Sequence, residues 1–368
     1  MSKLSIEEVR EGRTMEATFW LNPVDGEKYR FRATHLDGRR APKVVLSDDA
    51  RITPGTPCRV RVKKVHKKER KHRGWIEVEF IERVSFEPDG VYLDPVVSKK
   101  LQVCLESGLN ILLDGPQGCG KTVLARAIGK SLGMELVFFN CAAVVEATDF
   151  LATIQVRAGE GGAPVTDFVK TEILTALEAA AENPGRRYLV FLDELNRCQE
   201  SARNALMPAL DSSRRVFDPT SNRFVEIPDN VLFIAAVNRG SEFSGTFGID
   251  AAQLDRFAPI QMTYLPPKEE ERLLADRHPE LGKKIVHAIV DLADRIRHMS
   301  DLQSGLSVRA TEEVCIYLKH PLFEEDRWAA LPEILKSSFC GRFSGSWGDT
   351  TTDAGAVWLV IERALVED

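Results

Sequence analysis

Long apolar runs are missing from this sequence. None approaches the roughly 20 residues needed to cross a bilayer, although 43% of the 368 residues are hydrophobic. Residues 1–13 are charged and lack the apolar stretch of a secretory signal. The expectation is a cytoplasmic protein without a membrane partner. Paired cysteines are missing too. The seven are Cys58, Cys104, Cys119, Cys141, Cys198, Cys315 and Cys340, an odd number with no C-x-x-C spacing. That excludes a disulfide framework and a structural zinc site, and suggests small buried apolar residues in a reducing compartment. Internal repeats and low-complexity tracts are absent.

What is present is ordinary in amount and uneven in place. Charged residues make up 28% of the chain, with a net charge of −6. Residues 1–93 hold 20 Lys+Arg against 15 Asp+Glu, a net of +5. The remainder holds 29 against 40, a net of −11. A basic N-terminal module on an acidic body follows.

Three regions differ in pattern. Residues 1–90 are β-rich, with short runs over 17–21, 29–33, 58–62 and 75–81 divided by the turn pairs Asp25-Gly26, Asp37-Gly38 and Pro54-Gly55. A small β-barrel-like domain is expected, because a short open sheet leaves exposed edges. Residues 84–98, with Pro88, Gly90 and Pro95, read as a linker. Residues 91–265 then alternate helical stretches with near-continuous apolar strands at 110–114, 136–139, 188–192 and 231–237. Such strands imply an α/β fold, a parallel sheet sandwiched by helices. Residues 266–368 read as helical, with Ile285, Val286, Ile289, Val290, Leu292, Ala293 and Ile296 at helical spacing.

The first strand of that sheet runs into Gly115-Pro-Gln-Gly118-Cys119-Gly120-Lys121-Thr122, a full match to G-x-x-x-x-G-K-[ST]. A helical stretch from Val123 follows, so the strand–loop–helix context is present. Glycines let the backbone approach a triphosphate and aim N–H groups at it, and the helix N-terminus adds positive potential. Gly115, Gly118, Cys119, Gly120, Lys121, Thr122 and Val123 are the candidate ATP-binding residues. Lys121 suits the β- and γ-phosphates, and Thr122 offers a hydroxyl to Mg²⁺. The bland alternative is a glycine-rich turn with a surface lysine.

The strand 188–192 ends in Asp193-Glu194. Two carboxylates at the end of a buried strand are costly without a compensating charge. Asp193 is the candidate Mg²⁺ ligand with Thr122, and Glu194 the candidate group that polarises the attacking water. Solvated acids at a helix start are the alternative. The strand 231–237 ends in Asn238, whose amide could orient that water, or simply form a turn.

Asp193 lies 72 residues after Lys121, and Asn238 lies 45 after Asp193. With the strand pattern, this order resembles the AAA+ superfamily, and within it the MoxR type, related to CbbQ-like and dynein-related groups. Four segments carry the narrower likeness: Phe191–Arg197 (FLDELNR), the hairpin sequence from Arg214 to Pro228, Ala251–Phe257 (AAQLDRF) and Gly305–Ala310 (GLSVRA). The resemblance implies that Asn238 is a γ-phosphate sensor, Arg256 an arginine finger serving a neighbouring subunit, and Arg309 a second sensor in a helical lid. It also implies a P-loop NTPase core, an ATP-hydrolysing ring of six subunits, a chaperone-like remodelling role and a von Willebrand factor A domain partner. Residues 147–174 occupy the place of an insert that would face the ring pore.

Residues 1–90 fall outside the resemblance. There Lys63, Lys64, Lys67, Lys68, Arg70, Lys71 and Arg73 form a dense basic run, with Trp20 and Trp75 nearby in sequence. On an OB-like barrel such a loop could grip nucleic acid. An acidic protein partner or a solvated hairpin loop would also fit. Two readings of the whole chain stand beside the remodeller: an ATP-driven nucleic-acid motor or loader of a defence-type system, and a nucleotide-binding scaffold without turnover.

Overall fold

The computed structural model describes residues 10–12, 14–18, 30–31, 43–46, 57–66, 75–83, 88, 90–158, 164–238, 247–300, 302 and 305–367. Lys67, Lys68, Arg70, Lys71, Arg73, Trp20 and the glycines of 159–162 lie outside the described residues. By contact density the chain forms two compact units. One holds residues 1–113, 122–237 and 246–260, and the other 114–121, 238–245 and 261–368.

The first unit begins with a five-stranded sheet built from β1 (Thr14–Thr18), β2 (Arg30–Phe31), β3 (Lys43–Leu46), β4 (Pro57–His66) and β5 (Trp75–Arg83). Its order is β1-β4-β5-β3-β2, with β3 and β5 parallel and the other neighbours antiparallel. β4 and β5 alternate as a half-buried pair should. Val60, Val62, Ile76 and Val78 are buried, while Arg61 and Lys63 point outward. Among the described residues the sheet is open between β1 and β2, so closure into the expected barrel is not part of what they form.

α1 (Pro95–Glu106) starts earlier than the linker reading implied. Pro95 sits at the first helical position, where its missing N–H is not needed, and the Asp94 side chain accepts from Val96 N and Val97 N. The remaining elements of this stretch are β6 (Ile111–Asp114), α2 (Lys121–Ser131), β7 (Glu135–Asn140), β8 (Ala152–Ala158), β9 (Pro164–Lys170), α3 (Glu172–Glu182), β10 (Tyr188–Asp193), α4 (Glu200–Asn204), α5 (Met207–Leu210), β11 (Arg215–Asp218), β12 (Arg223–Glu226), β13 (Val231–Val237), α6 (Ala251–Leu254) and β14 (Ala258–Gln261).

The central sheet has the order β14-β6-β13-β10-β7 and is parallel, as the apolar strands imply. β6 and β13 are buried at every residue. Only a sheet covered on both faces buries whole strands in this way. β8–β9 and β11–β12 are separate antiparallel hairpins. The second of these is the expected hairpin before the last buried strand. β14, four residues with a proline, has no clear period in the sequence.

The second unit's helices are α7 (Pro267–Arg277), α8 (Gly282–Arg297), α9 (Val308–Lys319), α10 (Arg327–Ser338) and α11 (Asp353–Glu367). The apolar face expected of 285–296 packs into their shared core. Inside it sits an ion pair. Glu270 is fully buried, and Arg297 forks onto it with bonds of 2.5 and 3.0 Å. Thr311 Oγ1 donates to the same carboxylate at 2.6 Å, and Arg297 Nε donates to Leu306 O at 2.6 Å. Every strong acceptor is used, which lets two charges share a dry interior.

Glu270→Ala leaves Arg297 buried without its counter-charge. A loss of about 3–5 kcal/mol is expected in chemical denaturation. Arg272→Ala, which removes an exposed ion pair at 3.9 Å, should stay within about 0.5 kcal/mol of wild type. Equal effects would refute the interior pair as a stabilising element.

Candidate active site

The loop between β6 and α2 takes its shape from Gly118 and Gly120, both at positive φ (74° and 96°). A side chain on Gly118 has no room: its Cβ would lie 2.4 Å from Ser307 Cβ. A Cβ on Gly115 would lie 2.4 Å from Met262 O. Lys121 is buried and turned into its own loop, where Nζ donates to Gly115 O at 2.7 Å and Pro116 O at 2.8 Å. Burial raises the Cys119 thiol above its ordinary value, against a smaller downward pull from Lys121. Val123 is exposed on α2.

Thr122 Oγ1 donates to Asp193 Oδ2 at 3.2 Å, joining residues 71 apart in sequence. Both are hard oxygen donors, the set that suits Mg²⁺ retaining several waters. Among the described residues no group of three or more His, Cys, Asp or Glu could hold a metal. A cage of protein ligands is therefore not what these residues offer, and a hydroxyl plus one carboxylate is.

β10 ends at Asp193, and the chain then turns sharply. Glu194 adopts the left-handed conformation (φ 54°, ψ 42°), with its N–H donating to Asp193 Oδ1 at 3.1 Å. A non-glycine residue in that region is uncommon and clusters at functional sites. The turn leaves Glu194 part-exposed and 3.2 Å from Arg197 Nε, an ion pair without a well-aligned hydrogen bond. Arg197 was legible only as part of the FLDELNR segment, without a role. Asn140, at the end of β7, pairs in register with Asp193. Buried Cys141 lies within electrostatic reach of Asp193, Glu194 and Arg203, and its thiol is raised well above the ordinary value, first by burial.

Asn238 follows β13 directly and is buried. Arg239 lies outside the described residues. Arg256 lies just past α6, and its guanidinium is folded back onto its own chain. NH1 donates to Ala252 O at 2.5 Å, and NH2 lies 3.6 Å from Asp211. The Asp211 carboxyl is held below its ordinary value by the Ser213 hydroxyl and N–H, with Arg256 adding to this. Arg309 is exposed in the first turn of α9, two residues after Ser307. The structure thus joins Thr122 to Asp193 and orders Glu194 beside them, and it brings Ser307 against Gly118. It leaves Arg256 on internal partners. Ser307, Arg197 and Asn110, which holds the Arg256 carbonyl at 3.2 Å, carried no separate signal in the sequence.

The six described cysteine side chains are free and buried, as their scatter implied. No helix among the described residues is long and apolar enough to cross a membrane.

Residues 110–257 match the family model of the AAA domain (dynein-related subfamily). Relatives include an uncharacterized protein of Staphylococcus aureus strain USA300, 23% identical over 226 residues, which are 60% of this chain and 82% of that one. An uncharacterized protein of Staphylococcus saprophyticus subsp. saprophyticus is 26% identical over 172 residues, 47% of this chain and 62% of that one. Two solved RuvB mutants of Thermotoga maritima are similar at 17% and 16% identity, each with a TM-score of 0.42. They cover 76% of this chain and 90% and 89% of their own. The central parallel sheet, its flanking helices and the C-terminal helices are those of a P-loop AAA+ α/β fold. The match to an AAA domain over these residues supports nucleotide binding and ATP-driven activity in general.

Gly118→Ala adds a methyl where Ser307 stands and forces a left-handed φ on alanine. Nucleotide affinity should fall about tenfold or more, read by titration with a fluorescent ATP analogue. Gly348→Ala, whose Cβ would meet only Ser346 Oγ at 3.9 Å, should bind as wild type does. A wild-type affinity in Gly118→Ala would show that this close approach does not matter for binding.

Proposed function

We propose that this chain is an ATP-hydrolysing AAA+ protein of the MoxR type, working as a ring to remodel a protein partner. The observation that carries it is the 3.2 Å contact between Thr122, at the end of the phosphate-type loop, and Asp193, at the end of β10. Nothing in a merely structural loop requires that pairing of a hydroxyl with a carboxylate beside a second acid.

In this reading the loop N–H groups and Lys121 bind the phosphates, and Thr122 and Asp193 hold Mg²⁺, which when bound supplies charge neutralisation at the β- and γ-oxygens. Glu194 accepts a proton from the attacking water, and Asn238 orients that water. Arg256 leaves Asp211 to reach the nucleotide of a neighbouring protomer, and Arg309 acts as second sensor. A guanidinium fits both tasks because it stays charged and forks onto oxygens. Supply in trans makes turnover depend on assembly, with six protomers proposed. The division into a β-barrel-like module (1–90), an ATPase core (91–265) and a helical lid (266–368) belongs to the same proposal. A von Willebrand factor A domain partner and a cytoplasmic location rest on the MoxR likeness and on composition.

The charge pattern of β4 favours a protein client over nucleic acid. Arg61 lies 3.3 Å and Lys63 3.7 Å from Glu79 of β5. Cations already answered by neighbouring carboxylates release little on meeting phosphates.

Glu194→Gln should bind ATP with unchanged affinity and lose turnover by about a hundredfold or more, as read by phosphate release against nucleotide titration. Wild-type turnover would remove Glu194 from its role. ATPase stimulated by single-stranded DNA or RNA, and lost in the Lys67→Glu/Lys68→Glu variant, would replace the remodeller with the nucleic-acid motor. Binding without turnover in the assembled wild type would leave the scaffold.

A further inference from the structure

Among the described residues, Arg203, in α4, is the largest side chain that is fully buried, and it has no carboxylate partner there. Its guanidinium is satisfied by neutral oxygens alone. Nε donates to Gln253 Oε1 at 3.0 Å, NH1 to Cys198 O at 2.7 Å and NH2 to Gly248 O at 2.5 Å. A buried cation without a counter-ion is an expensive choice for a core position, where an apolar residue of similar volume would pack without that penalty. Breaks of this kind with local rules concentrate where function requires them.

The three acceptors belong to two segments with separate tasks in the reading above. Cys198 follows the turn that begins at Glu194, and that turn is also bonded to the other segment through Phe247 N to Asn196 O at 2.7 Å. Gly248 and Gln253 belong to the stretch that carries Arg256. Gln253 is held on its other side by Asn204, whose Oδ1 accepts from its Nε2 at 2.9 Å, and Asp250 caps α6 through the Gln253 N–H at 2.7 Å. Three residues after Gln253 stands Arg256. Among the described residues, the bonds of Arg203 thus tie α6 and the chain entering it to the Cys198 turn. All these groups lie within the first unit.

We propose that Arg203 is a positioning residue for Arg256: its guanidinium sets where α6 presents the finger to the neighbouring protomer. The proposal rests on the reading of Arg256 as acting in trans. A planar fork with donors in fixed directions suits the task, since it imposes the relative position of three oxygens at once. Lysine in its place, with one mobile ammonium, does not.

Mixed assemblies of the full chain test this. Protomers with Glu194→Gln cannot hydrolyse their own ATP but keep Arg256, and protomers with Arg256→Ala keep Glu194 but offer no finger. Mixing the two should restore ATPase activity that neither has alone. Gln253→Met, which leaves the two carbonyl bonds of Arg203 in place, should reduce that rescue about tenfold or more when placed in the Glu194→Gln protomer, and leave it unchanged in the Arg256→Ala protomer. Arg203→Lys in the Glu194→Gln protomer should do the same, and Gln253→Met carries the test if Arg203→Lys fails to fold. A loss that is equal in either placement, or no loss in either, overturns the positioning role while leaving Arg256 in trans. Absence of rescue with Arg203 and Gln253 intact overturns the trans reading, and this proposal with it.

Discussion

A parallel sheet buried on both faces leaves its strands no place for polar chemistry except their ends. β6 and β13 are buried throughout, and β10 is buried up to Leu192. Each strand of the central sheet then carries a polar residue at or just past its carboxyl end: Asp114, Asn140, Asp193, Asn238 and Gln261. The pairings follow from this. Gln261 donates to Asp114 at 2.8 Å, and Thr122, the second residue of a helix, reaches Asp193. Carboxylates that would be unaffordable two residues earlier are stabilised there by hydroxyl, amide and backbone donors. The site is a consequence of where apolar strands must stop.

That constraint also decides what the sequence could reveal. Val231–Val237 is seven apolar residues in a row, and the structure returns the same boundaries. The loop was legible because its glycines and lysine are fixed in number and spacing by backbone geometry. Asp193-Glu194 was legible because acids after a buried strand demand a reason. By contrast, β14 is four residues with a proline and no period, and it exists only because β6 offers it an edge through Ala258 N to Asn110 O. Arg203 is similar. In α4 it reads as an ordinary surface cation in sequence, and only the three oxygens gathered by tertiary contact show that it is interior. The early start of α1 needed Asp94 to be seen as a cap rather than as part of a linker.

The second unit shows how a distant charge pair bears on the loop. Glu270 and Arg297 fix the Leu306 carbonyl, and the Tyr264 hydroxyl donates to Gly305 O at 3.3 Å. Arg297 also lies 4.9 Å over the Tyr264 ring. These contacts place Ser307 against the α-carbon of Gly118, where only hydrogen fits. Arg309 follows two residues later on α9. The buried pair is therefore linked, through Leu306 and the adjoining Ser307, to the close approach at the glycine of the phosphate-type loop and to the start of the helix that carries Arg309. Its contribution is geometric as well as energetic, because a planar fork bonded through all three of its nitrogens fixes the direction of its partners.

The groups that the proposal assigns to phosphate and water have partners within the chain. Lys121 rests on two carbonyls of its own loop, Glu194 on Arg197, and Arg256 on Ala252 and Asp211. A bound triphosphate would exchange these contacts for others, and only the difference would appear as affinity or rate. For Lys121 the exchange is a neutral carbonyl for an anion, which is strongly favourable. For Arg256 it is a half-buried carboxylate and a carbonyl for a phosphate, a smaller difference. On the proposed reading, the same arithmetic would let a protomer hold nucleotide alone and make its turnover depend on how firmly the next protomer presents Arg256, which is where the proposed role of Arg203 behind α6 would have its effect.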